Sequence, residues 1–235
     1  MFTNKSVAQK ILEDTKKLYV ETHCYRQVEA REFSHLDLNF YDRTMHEIQM
    51  RGFRHVGDVE NLTVKEGGMD PRAFLRLGLS LDGTIQSAVY QIKPRIWWRI
   101  ILWLSRTKLS KAIDFETEFA DGSFVITSNA KLAGLLDSPP LIFAEFHPEE
   151  ASVEPLYERH RIRVREHIDV RNTQPVKLFS LHDLLESQHR MEKIKSEFRE
   201  RIGWLKKSEW DRLAAHPNET TDDIYEEFTN LQKEN

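Results

Sequence analysis

One cysteine, Cys24, stands in a chain of 235 residues. It excludes an internal disulfide and any cysteine-rich zinc or iron–sulfur site. No stretch approaches the roughly 18 consecutive apolar residues of a spanning helix. The opening MFTNKSVAQKILEDTKK is too polar for a signal peptide. A reducing cytoplasm is therefore the expected setting. Phosphate-cradling and nucleophile motifs are missing as well: there is no GxxxxGK[ST], GxGxxG or GxSxG. The ten histidines include no HExxH and no finger-like Cys/His spacing. No cofactor or metal is expected on these grounds. Nor is there a surplus of one charge. The 34 basic and 38 acidic residues give −4, which argues against a polybasic nucleic-acid binder.

Aromatic residues are plentiful. Thirteen Phe, six Tyr and five Trp can build a sizeable core at this length. The hydrophobic periods divide the chain. Val7, Ile11, Thr15 and Leu18 predict a polar helix over about 5–20. Leu38, Tyr41, Met45 and Ile48 predict a second, with Ser34 as N-cap and Gly52 at the left-handed end position. A strand is expected over roughly 53–64. Two hairpins follow, FLRLGLSL-DG-TIQSAVYQI and AIDFETEFA-DG-SFVITSN, each with Asp-Gly between alternating runs, where glycine can take the positive φ of a tight primed turn. Between them IWWRIILWLSRTKLSK reads as a helix. LIFAEF at 141–146 reads as a further strand. Residues 153–168 carry two patterns. Arg159, Arg161, Arg163 and Arg165 alternate as in a strand, whereas Val153, Leu156, Tyr157, His160, Val164 and Ile168 form a helical stripe. Helix is preferred, since carboxylates crowd its start and cations its end. A long amphipathic helix capped by Ser180 follows, then short helices.

Strand runs beside helical runs without βαβ alternation predict an α+β fold. The expectation is an antiparallel meander of about five strands, helices on one face, and helical extensions at both ends. Residues 1–33 would form the N-terminal extension, 34–171 the α+β domain and 172–235 the C-terminal extension.

Charge is segregated along the chain. Lys93, Arg95, Arg99, Arg106, Lys108 and Lys111 give +6 between Gly83 and Ile113, where no carboxylate occurs. Ten carboxylates and one cation, Lys131, follow from Asp114 to Glu158. Cross-strand neutralisation accounts for this layout at about 0.2–1 kcal/mol a pair. A bipolar surface that orients a charged partner is the other reading.

Residues 95–106 combine Arg95, Arg99 and Arg106 on one helical side with Trp97 on the other and Trp98 and Trp103 at the flanks. Such a helix can pack on the sheet, or it can dock at a lipid surface with rings at headgroup depth and guanidiniums on phosphates. Asp114, Glu116 and Glu118 share a strand face, where crowding can raise a pKa for acid–base work. His160 and His167 share a helix face, though His160 belongs to an apolar stripe, where a hydrogen-bonded structural histidine is commoner than a metal ligand. Thr127, Ser128 and Asn129 end a strand and either line a pocket mouth or cap a turn. Cys24 follows His23 directly, a spacing that does not aim a base at a thiol.

Helix 181–205 has a seam of Leu181, Leu184, Gln188, Met191, Lys195, Phe198, Ile202 and Leu205, with Gln188 and Lys195 in one heptad class. It would pack on the protein's own core, on a second protomer or on a partner helix. The expected function is a non-catalytic module binding a protein partner or small ligand. The alternatives are a peripheral membrane protein docking through 95–106, and an enzyme with a carboxylate or histidine site on the sheet. The binding candidates are Arg95, Trp97, Trp98, Arg99, Trp103, Glu116, Glu118 and His160; no catalytic residue is assigned.

Overall fold

The computed structural model describes residues 3–63, 73–92, 110–130, 133–214 and 218–233. Among these residues seven strands form one sheet in chain order: β1 (Tyr25–Gln27), β2 (Phe53–Asn61), β3 (Leu75–Ser80), β4 (Gln86–Ile92), β5 (Ser110–Glu118), β6 (Phe124–Ser128) and β7 (Ile142–Phe146). The first six pair antiparallel, and β7 pairs parallel to β6. The expected five-stranded antiparallel sheet is thus a seven-stranded mixed one. β1 is too short to show a period. β7 is parallel because the connection after β6, which includes a 3-10 turn at Ala133–Leu135, is long enough to bring Ile142 beside Phe124 at the start of β6. A tight hairpin has no length for that return.

Both Asp-Gly hairpins form, with loops longer than the two-residue primed type: four residues (81–84) in the first, where Ser80 N bonds Ile85 O, and three (120–122) in the second, where Phe119 N bonds Ser123 O. Gly122 donates its N–H to Phe119 O at 2.9 Å, so Ala120 and Asp121 are the central pair. The glycine then takes the positive φ, +79°, as in a three-residue hairpin with a bulge. Gly83, at +77°, donates in the same way to Ser80 O.

Six helices accompany the sheet among the described residues: α1 (Asn4–Leu18), α2 (Leu38–Gln49), α3 (Val153–Arg171), α4 (Leu181–Arg201), α5 (Lys207–Ala214) and α6 (Glu219–Lys233). The N-cap of α2 is Asp37, which accepts from Phe40 N, and not Ser34. A 3-10 turn over Ala30–Phe33 comes first and delays the helix. Ser180 caps α4 as expected, in a reciprocal pair with Asp183. Residues 153–171 are helical, with Val153, Leu156, His160 and Val164 as the buried stripe; of the alternating arginines, Arg163 turns in to the sheet and donates to Thr127 Oγ1 at 2.9 Å, while Arg159 pairs with Glu145 at 2.8 Å.

Helices cover both faces, in place of the single covered face expected. On the first, α2 and α3 pack Tyr41, Met45, Ile48 and Leu156 against Phe53, Val89, Ile113 and Phe115. On the second lies α4. Its Leu184 meets Val59 and Leu77, and its Met191 meets Phe124, Ile126 and Ile142. Burying Leu184, Met191 and Phe198 gives a gross gain of about 5–9 kcal/mol. That gain tolerates polar groups beneath the helix only if most of them are paired. A second, smaller core joins α1, α5 and α6 around Trp210, with Ile11, Leu12 and Phe228.

Candidate functional site

The alternation of β5 places Ile113, Phe115 and Thr117 on the first face and Asp114, Glu116 and Glu118 on the second. A solvated acidic row was the expectation for the latter. Instead α4 roofs it, and all three carboxylates are buried. Two polar residues of α4, one in its seam and one beside it, meet them. Gln188 Nε2 donates to Glu116 Oε2, and Arg190 forms a two-point ion pair with Glu118 at 2.6 and 2.8 Å. Asp114 accepts from Tyr90 Oη at 2.6 Å and from Ser128 Oγ. Gln86, held by Ser187 and Gln188, continues this polar belt toward Tyr25 and Glu192.

Between the sheet and the C-terminal half of α4 is a cavity of about 170 Å³. An engineered apolar cavity of about 150 Å³ holds a benzene molecule, so a ligand of about six heavy atoms fits. Its floor is Tyr90, Asp114, Glu116 and Ser128, with Ile126, Ile142 and Ala144 beside them; its roof is Lys195 and Arg199. Leu136 and Pro139, beyond the 3-10 turn, close one side. Arg199 is committed, since it pairs with buried Glu209 at 2.6 Å and donates to Asp137 O at 2.7 Å. Lys195 is different. Among the described residues it forms no hydrogen bond or ion pair, although its charge bears on Asp114 and Glu116. Glu116 is likewise only half satisfied, because Gln188 engages Oε2 and no described residue donates to Oε1.

The electrostatics follow from burial. Loss of solvation pushes Glu116 up to about 7, and the neighbouring Asp114 charge adds to the rise. Burial raises Asp114 too, against the hydrogen bonds from Ser128 and Tyr90 that favour its charged form. The Tyr90 phenol is raised well above its ordinary value, first by burial and then by the Asp114 charge, and stays a donor. Near neutral pH the cavity therefore holds a carboxyl that exchanges its proton readily, an acceptor set and the Lys195 side chain.

The other residues singled out by the sequence lie elsewhere. His160 is on the opposite face from Glu116 and Glu118. It is fully buried, with Nε2 3.0 Å from Thr117 Oγ1 and Nδ1 3.1 Å from Thr127 Oγ1. Burial, with Arg163 second, lowers it to about 3, so it is a neutral packing residue. His167 is held by Ser123 Oγ at 2.7 Å. Of the polar triplet, Ser128 lines the cavity, whereas Thr127 meets His160 and Asn129 bonds Ile113 N and the Glu149 and Ala151 carbonyls. Cys24 is exposed, and His23 is turned to Asn61 at 2.6 Å. Arg95, Trp97, Trp98, Arg99 and Trp103 fall outside the described residues. Tyr90 and Lys195 were not among the binding candidates. The signal for Lys195 was its place in an apolar seam, in the same heptad class as Gln188.

Among the described residues no group of three or more His, Cys, Asp or Glu side chains could hold a metal ion. Nor is any described helix long and apolar enough to cross a membrane. Comparison with protein-family models, curated proteins and solved structures finds no match to this chain.

Proposed function

We propose that this protein is a small-molecule-binding module whose ligand sits on the second face of the sheet, beneath α4. The observation that carries this reading is the cavity of about 170 Å³ with incompletely paired polar groups in its wall. Buried polar groups are normally bonded, and a concave site with a few convergent polar groups among apolar ones is the usual form of a ligand site. Ile126, Ile142 and Ala144 supply the apolar part, and Glu116, Ser128 and Lys195 the orienting part. The test is a thermal-shift screen of the full chain against a metabolite library, repeated on Ala144→Phe, which fills the cavity from β7. At least one compound should stabilise the natural chain and leave Ala144→Phe unmoved. Ligands that act equally on both, or none that acts, would refute the reading.

One observation favours a second reading, an acid–base enzyme. Glu116 lies in the cavity with its pKa raised to about 7 by burial and by Asp114, near the value at which a general acid or base is most effective at neutral pH. Following the cavity ligand by NMR separates the two readings. A catalyst would convert it, and Glu116→Gln would stop the conversion; a binding module would leave it intact.

A further inference from the structure

We infer that the cavity ligand is a small zwitterion, with an ammonium group on Glu116 Oε1 and a carboxylate on Lys195 Nζ. This deepens the small-molecule reading and rests on it. Three observations carry it. First, two charged groups that line one cavity have opposite demands and lack a protein partner among the described residues: nothing donates to Glu116 Oε1 and nothing accepts from Lys195. Second, these two do not satisfy each other, since no ion pair joins them although they line the same space. Within that gap, a molecule donating at one end and accepting at the other completes both. Third, the remaining charged groups of the wall are already engaged. Asp114 takes Tyr90 and Ser128, Arg199 takes Glu209, and Asp137 takes Lys206 and Arg212.

Glu116 is only 8% exposed. A charge-assisted hydrogen bond there is worth more than one in water, because the competing solvent is excluded. A simple cation would leave Lys195 unpaired, and a simple anion would face the carboxyls. A molecule bearing both charges avoids each cost, and apolar Ile126, Ile142 and Ala144 accommodate only a short hydrocarbon spacer. The inference is accordingly an amino-acid-like compound of about six heavy atoms, free rather than in a peptide chain, since the cavity has room for little else.

Calorimetric titration of the full chain with glycine, β-alanine and γ-aminobutyrate, beside propylamine and propionate, tests this. At least one zwitterion should bind about tenfold or more tightly than both half-probes, as expected for one added charge-assisted bond. Lys195→Met and Glu116→Gln should each remove that advantage, so that the best zwitterion binds either variant no more tightly than the half-probes do. Equal binding of a half-probe, or no binding by any zwitterion, overturns the inference. The comparison of probes on the natural chain is decisive even if a variant fails to fold. Should the library screen find another ligand that Ala144→Phe excludes, the small-molecule reading stands and the zwitterion alone falls.

Discussion

Replacing Glu116 by Gln should stabilise the protein in mild alkali and do nothing in mild acid. Burial and the Asp114 charge carry this carboxyl from an ordinary 4.5 to about 7. At about 1.36 kcal/mol for each tenfold in proton affinity, that is worth about 3 kcal/mol. The sign follows from linkage. The folded chain holds the proton more tightly than the unfolded chain does. Its stabilising effect is fully present below about pH 4.5, declines as pH rises and is lost above about pH 7. The amide in Glu116→Gln is neutral throughout and keeps an oxygen for Gln188 Nε2. Urea unfolding of both proteins, followed by circular dichroism, should give matching stabilities near about pH 4.5 and an advantage for the variant approaching about 3 kcal/mol near about pH 8. Lys195 and the Asp114 carboxyl face the same group, so their contributions are included in that figure. A difference between the proteins that stays constant over this range, or one that grows in favour of Glu116, would refute the assignment of a buried, proton-retaining carboxyl.

Three further outcomes are expected. Arg199 and Glu209 are 3% and 0% exposed at the side chain, so Arg199→Met or Glu209→Gln alone should cost about 3–5 kcal/mol in chemical denaturation, and the double variant less than the sum of the two. Gly83→Ala should be more damaging than Gly122→Ala. Both positions have positive φ and share a cost of about 1–2 kcal/mol, but a Cβ at Gly83 would meet Leu178 O at 2.4 Å, whereas nothing lies within 4 Å at Gly122; paired melting curves would show the contrast. Burial keeps the His160 pKa at about 3, so its ring resonances should not titrate between about pH 8 and 5; a shift through that interval would contradict the bonds to Thr117 and Thr127.

Local signals made much of the architecture legible. Period-two alternation and the glycines at 83 and 122 located both hairpins, because a strand with one face against helices and a turn needing positive φ are written in neighbouring residues. Helix α4 was legible from its stripe and its Ser180 cap for the same reason. What could not be read was how elements distant in sequence meet. The face of β5 bearing Asp114, Glu116 and Glu118 looks solvated in isolation, since carboxylates at alternate positions are what water-facing strands carry. Only the return of α4 across that face, with Gln188 and Arg190 bonded to the row, buries it and lifts Glu116 toward neutrality. The parallel pairing of β7 was hidden likewise, because strand direction depends on where a connection ends and not on its composition.

Residue order alone settled both hairpins and the helices around Tyr41 and Leu184, since their periods depend on neighbours a few positions apart. The cavity, with Lys195 in its roof and a proton-holding carboxyl in its floor, was decided by the assembled structure. Solvation and Coulomb energies depend on separation in space, and the residues that matter here, 116 and 195, lie on elements far apart along the chain.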